Sequence, residues 1–169
     1  MTVQALRPVS ANSGQQAVRV TNLVKRYGEF VAVDDLSFSV QSGEIFGIIG
    51  PNGAGKTTTV ECISGLRTQD SGSISVYGLS PQHDRAKIRE FVGVQLQQSA
   101  LPPRLKVGEA LDLFAAYYPT PLDPQELLGY LGIKHLSRAA FKSLSGGERQ
   151  RVSIALALVG DPKIAILDE

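Results

Sequence analysis

The chain has 169 residues, of which 43% are hydrophobic and 20% charged, and a net charge of +1, the profile of one ordinary globular domain with a core of its own. Its Lys and Arg residues are scattered and form no basic stripe of the kind that neutralises duplex phosphates, which argues against a nucleic-acid partner. Cys62 is the single cysteine, so there is no disulfide partner within the chain, and no apolar run approaches the roughly 20 residues of a membrane span.

Residues 1–17 are polar and aperiodic and read as a flexible N-terminal tail, with the folded part expected from Val18. Residues 18–23, 30–33 and 36–40 are short runs rich in β-branched and aromatic side chains, broken by Gly28, by Asp34-Asp35 and by Ser42-Gly43. They predict antiparallel strands. Residues 45–49 form a continuous apolar run, the pattern of a strand buried on both faces. Residues 56–66 then predict a helix and 72–77 a strand, and Ser80-Pro81 predicts the opening of a second helix with serine as cap. Arg85, Lys87 and Arg89 on that helix read as a solvated face. Apolar residues at Ala110, Leu111, Leu113, Phe114 and Tyr117 have helical spacing, and Asp123-Pro124-Gln125-Glu126 predicts a capped helix running to Leu131. The architecture expected is an α/β protein whose middle is a helical insert.

Gly50 to Thr57 reads GPNGAGKT and matches the phosphate-binding pattern G-x-x-x-x-G-K-[ST], with a predicted strand before it and a predicted helix after it. Backbone N–H groups turned inward by the glycines suit phosphate oxygens, Lys56 suits the β- and γ-phosphates, and the Thr57 hydroxyl suits Mg2+. The competing reading is a plain glycine turn. Residues 164–167 predict a second buried strand that delivers Asp168 to a sheet edge, where a carboxylate suits a metal ion. Leu144-Ser145-Gly146-Gly147-Glu148 carries Ser145 and Glu148 at the spacing of a capping box, ahead of helical spacing that runs to Val159.

Taken together, LSGGERQR between GPNGAGKT and ILDE resembles the ATP-binding cassette (ABC) ATPases, whose defining sequence is LSGGQ followed by basic residues. The resemblance runs from about Val18 to Glu169. It implies a P-loop NTPase core sheet of RecA-like type with an antiparallel β subdomain and a helical insert, and it implies ATP and Mg2+ as cofactors. Carried over position by position, it gives Tyr27 as the aromatic that stacks on adenine, against the alternative of a tyrosine packed on the sheet edge. Gly50, Asn52, Gly53, Ala54, Gly55, Lys56, Thr57 and Thr58 become the nucleotide cradle. Thr57, Gln97 and Asp168 become the metal ligands, with Gln97 chosen over its neighbours Gln95 and Gln98 by family spacing after Gly93. Glu169 becomes the general base, with Lys56 and Gln97 beside it in catalysis. Ser145, Gly146 and Gly147 would contact the γ-phosphate held by a second ATP-binding subunit in a head-to-tail dimer.

The same resemblance implies membrane-spanning permease subunits as partners and a cytoplasmic, peripheral location on the inner face of the plasma membrane. GPNGAGKTTT, with Asn52 and Ala54, is similar to the exporter branch that includes drug-resistance ATPases. The other function class that fits is a soluble ABC ATPase acting on ribosomes or DNA, or a binding-only remnant. Family members continue beyond the Asp-Glu pair with a strand and a switch histidine, and neither His83 nor His135 stands in that position. The expectation is therefore a tail over residues 1–17 and a partial nucleotide-binding domain over 18–169. Within it, 18–97 is the β subdomain and loop, 98–158 the helical insert and signature helix, and 159–169 the final strand. Its C-terminal strands are missing, the run at 45–49 is left as an unpaired edge, and turnover is not expected of the fragment alone.

Overall fold

The computed structural model of the chain describes residues 4–6, 14–95 and 101–168, and its contacts divide it into two compact units, Met1–Ile88 and Arg89–Glu169.

In the first unit, strands β2 (Gln16–Tyr27), β3 (Phe30–Gln41) and β5 (Ser71–Val76) form an antiparallel sheet in the order β3-β2-β5. Val20 faces Phe38 on one side and Ile74 on the other, and Val18, Val20, Leu23, Ile74 and Val76 are buried. Both long strands run through the point where Asp34-Asp35 predicts a break. The ladder slips there instead: Asn22 and Asp35 take positive φ values of 48° and 49°, and Asn22 Nδ2 donates to Asp35 Oδ1 at 2.6 Å. Asn and Asp tolerate that conformation, so the acidic pair makes a bulge rather than an end.

The strand ahead of the glycine loop, β4 (Gly47–Ile49), differs from expectation in two ways. It pairs antiparallel with β1 (Gln4–Leu6), through Gln4–Ile49, Ala5–Ile48 and Leu6–Gly47, so a segment read as loose tail supplies its neighbour. It is also not buried on both faces, since Ile49 is 49% exposed, and Ile45, at the start of the apolar run but outside the strand, is 81% exposed. A continuous apolar run states that a strand can be covered on both sides; only tertiary partners decide whether it is.

Helix α1 (Lys56–Ile63) buries Thr59, Val60, Cys62 and Ile63 against this unit. Helix α2 (Arg85–Arg89) begins later than Ser80-Pro81 suggests. The Asp84 carboxylate accepts the Ser80 N–H at 3.2 Å, and Ser80 O accepts the Asp84 N–H at 2.8 Å, so these residues close a turn before the helix starts. Arg85, Lys87 and Arg89 are exposed as expected.

In the second unit, β6 (Val92–Gln95) and β7 (Ile164–Leu167) pair in parallel, Val92 with Ile164 through Gln95 with Leu167. Between them come α3 (Val107–Ala115), α4 (Pro124–Tyr130) and α5 (Gly146–Leu158). Asp123 caps α4 through Oδ1, which accepts from Gln125 N and Glu126 N at 2.8 Å each. Leu111, Leu128, Ile133, Val152 and Val159 are fully buried in one cluster. Each such side chain contributes about 1.5–3 kcal/mol of transfer free energy. Helix α5 lies so close to β6 that a Cβ at Gly93 would meet the Ala157 carbonyl. Strand β7 is only half covered: Ala165 and Leu167 are exposed while Ile164 and Ile166 are partly buried, so the second apolar run also departs from burial on both faces.

Candidate nucleotide-binding site

Residues 50–55 form an irregular turn between β4 and α1. Gly53 and Gly55 have φ of 78° and 85°, values that side chains other than Asn and Asp rarely adopt. At Gly55 space is limiting as well, because a Cβ would run into the Ala32 carbonyl of β3. The loop is thus seated on the sheet by a glycine that nothing larger can replace. Thr59 N and Thr59 Oγ1 both donate to Gly55 O at 2.8 Å, which locks the first turn of α1 onto the loop. Lys56 Nζ donates to Gly50 O at 2.8 Å and to Pro51 O at 3.0 Å. The ammonium therefore folds back over the loop, ahead of a helix N-terminus that adds positive potential. Gly50, Asn52, Gly53, Ala54, Lys56, Thr57 and Thr58 all lie in this turn or in the first turn of α1. A glycine turn with a lysine ammonium folded over it, at a helix N-terminus, suits an anion of phosphate size.

Tyr27 stands at the tip of the β2–β3 hairpin, paired with Phe30 and 41% exposed. Sequence reading did not anticipate its surroundings. The Arg67 guanidinium lies 5.2 Å and Lys25 Nζ 5.7 Å from the ring centroid, within cation–π range. Arg67 is held by Glu61, and Lys25 by Asp70 at 2.9 Å.

In the second unit, α5 opens at Gly146 with the Ser145–Glu148 spacing read as a capping box. Ser145 is the N-cap of a capping box: Glu148 Oε2 accepts the Ser145 N–H at 2.7 Å and the Ser145 hydroxyl at 2.8 Å. Those two bonds hold the Glu148 carboxyl below the usual glutamate range. Gly146 and Gly147 have open space where a Cβ would stand and no positive φ. Nothing among the described residues requires glycine at either position, although glycine in a helix costs up to about 1 kcal/mol relative to alanine.

Asp168 follows β7 and is 8% exposed. Its Oδ2 is buried with no hydrogen-bond partner among the described residues, the kind of orphaned atom that a cation or an ordered water accounts for. Among the described residues no group of three acidic, His or Cys side chains could hold a metal. The one buried carboxylate oxygen of Asp168 is a donor of the kind Mg2+ takes, one or two carboxylates together with waters and phosphates. The Asp168 backbone is fixed by Gln95, whose O accepts the Asp168 N–H at 3.0 Å and whose Nε2 donates to Asp168 O at 3.3 Å. A polar residue closing the short apolar strand β6 was the available signal for this role. Gln97 and Glu169 lie outside the described residues. The loop of residues 50–57 belongs to the first unit and Ser145 and Asp168 to the second.

A strand, a glycine-rich turn and a helix whose first residue is lysine define a P-loop nucleotide-binding protein, and solved structures agree on the fold. The chain matches an ATP-binding subunit of an ABC transporter with a TM-score of 0.77 at 28% identity, covering 90% of this chain and 66% of that one. It matches a dimeric bacterial ABC transporter cassette with a TM-score of 0.76 at 25% identity, covering 90% and 73%. The family model described as ABC transporter matches residues 33–169, and the chain belongs to that family. Among curated proteins it is 40% identical over 157 residues to the Nod factor export ATP-binding protein I of Ralstonia nicotianae, covering 89% of this chain and 48% of that protein. It is 36% identical over 157 residues to the linearmycin resistance ATP-binding protein LnrL of Bacillus subtilis, covering 90% and 50%. The chain thus spans about half the length of the curated relatives it matches.

Proposed function

We propose that the protein is the ATP-binding and ATP-hydrolysing subunit of an ABC transporter of exporter type, working through separate membrane-spanning permease subunits on the inner face of the plasma membrane. The observation that carries the reading is the loop of residues 50–55, in which Gly55 is sterically required, Gly53 takes a positive φ, and Lys56 is already turned over it. Similarity to two proteins named for Nod factor export and linearmycin resistance supports the exporter assignment. No helix among the described residues is long and apolar enough to cross a membrane, in keeping with a permease supplied by another chain.

In this reading the loop N–H groups and Lys56 hold the β- and γ-phosphates, and Tyr27 stacks on the adenine. Thr57, Gln97 and Asp168 hold Mg2+, which when bound neutralises phosphate charge and orients the γ-phosphoryl group. Glu169 accepts the proton of the attacking water. Ser145, Gly146 and Gly147 meet the γ-phosphate of a second subunit, which accounts for two bare glycines that the fold itself does not use. Supporting the dimer, one of the similar solved structures is a dimeric cassette.

The test is ATP hydrolysis by the complete protein with its permease in vesicles, compared with Lys56→Ala and Ser145→Ala. Loss of turnover in both variants is the expected result. Retained turnover in Lys56→Ala overturns the assignment of the loop.

A further inference from the structure

Gln95 has no role in the function just described, yet it is 4% exposed at the end of β6. Burying a primary amide is costly unless both of its ends are bonded. Here both are. Gln95 Nε2 donates to Asp168 O at 3.3 Å, and Gln95 Oε1 accepts from Gln150 Nε2 on α5 at 3.5 Å. Its main-chain O accepts the Asp168 N–H at 3.0 Å. One residue therefore holds the peptide groups on both sides of the Asp168 Cα. Fixing those two groups sets the φ and ψ of Asp168, and with them the direction of the Cα–Cβ bond that carries a carboxylate whose Oδ2 is buried and has no partner among the described residues.

We infer that Gln95 is a positioning residue for the magnesium-ligating carboxylate: it aims Asp168 without touching the ion, and through Gln150 it ties that aim to the helix that begins with Ser145, Gly146 and Gly147. The inference rests on Asp168 being a magnesium ligand, as proposed above. A strand-end aspartate held by ladder bonds alone has one of its two flanking peptides fixed by the neighbouring strand; the amide of Gln95 supplies the second. Because Gln150 lies on α5, a shift of that helix pulls on the same amide that fixes Asp168. The arrangement makes magnesium affinity at Asp168 sensitive to what happens at the start of α5.

The experiment titrates MgCl2 into the full chain with a fluorescent ATP analogue and, separately, measures binding of the analogue in EDTA. Gln95→Met keeps the length of the side chain and removes both amide bonds. The expected result is about a tenfold loss in apparent magnesium affinity, with binding in EDTA unchanged, since the loss of one oriented ligand contact is worth on the order of a factor of ten. Gln150→Ala, on an exposed position of α5, should lose about threefold in the same direction. A role that is merely structural would weaken binding equally with and without magnesium. Asp168→Asn separates the two readings. If it keeps the magnesium dependence of the unmodified protein, Asp168 is not a ligand and the proposed function fails at that residue. If Asp168→Asn loses the dependence while folded Gln95→Met keeps it, Gln95 does not position the ligand. Should Gln95→Met not fold, Gln150→Ala decides, and an unaltered magnesium titration in that variant overturns the inference.

Discussion

Lys56 Nζ lies 2.8 Å from the carbonyl oxygen of Gly50, six residues earlier in the same loop. The lysine is held at the mouth of its own turn by the first residue of that turn and by Pro51 at 3.0 Å. In the proposed function the ammonium would exchange these neutral carbonyls for charged phosphate oxygens, and charge-assisted bonds are roughly twice as strong.

Lys56→Met should therefore lose at least about tenfold in ATP affinity, the equivalent of about 1.4 kcal/mol. Unfolding stability should change by less than about 1 kcal/mol, because the carbonyls left behind lie in a turn that water reaches. Titration with a fluorescent ATP analogue and urea unfolding check the two halves.

Gly55→Ala should do the reverse and damage the fold itself. A methyl group there meets the Ala32 carbonyl, on a backbone with φ of 85°. The strained conformation alone costs about 1–3 kcal/mol, and the clash adds to it. The urea midpoint should fall together with nucleotide binding, whereas Gly146→Ala, which meets open space and replaces a helical glycine by a better helix former, should hold the midpoint or raise it slightly.

The Ser145–Glu148 capping box predicts a pH dependence of definite sign. Glu148 is held below its ordinary value of 4.5 by the Ser145 N–H and then the Ser145 hydroxyl, with smaller help from His135 and Arg151. A depressed folded-state pKa gives stability that is complete above the ordinary value and is lost as pH falls through the lower folded value. Thermal melts between neutral and acidic pH should show the unmodified chain losing stability below about pH 4.5 more steeply than Glu148→Gln. Parallel curves would remove the cap from the account of α5.

Cys62 is fully buried on α1, and burial pushes its thiol up to about 11. Against a free thiol near 8.5, the thiolate fraction at pH 8 falls by about 200-fold. A disulfide reagent should therefore react at least about 100 times more slowly with the native chain than with the chain in denaturant. Equal rates would mean that α1 opens readily.

The chemistry of the site was legible wherever it is local. GPNGAGKT needs only its own glycines to turn, Ser145 and Glu148 find each other across one helical turn, and Asp123 caps the two residues that follow Pro124. Asp34-Asp35 misled because the same side chains that end a strand also fit a bulge, and Asn22 on the neighbouring strand selected the second outcome. Ser80-Pro81 misled because Asp84 closed the turn first.

The sequence by itself determined the family, the order of the motifs and the residue types at the nucleotide loop, since each is written in spacings of a few residues and enforced by backbone geometry. The tertiary structure alone decided which faces of the apolar runs at 45–49 and 164–167 are covered, that Gln4–Leu6 pairs with Gly47–Ile49, and that Gln95 clamps Asp168 from 73 residues away. Those outcomes depend on which segments meet across long loops, and no local spacing encodes that.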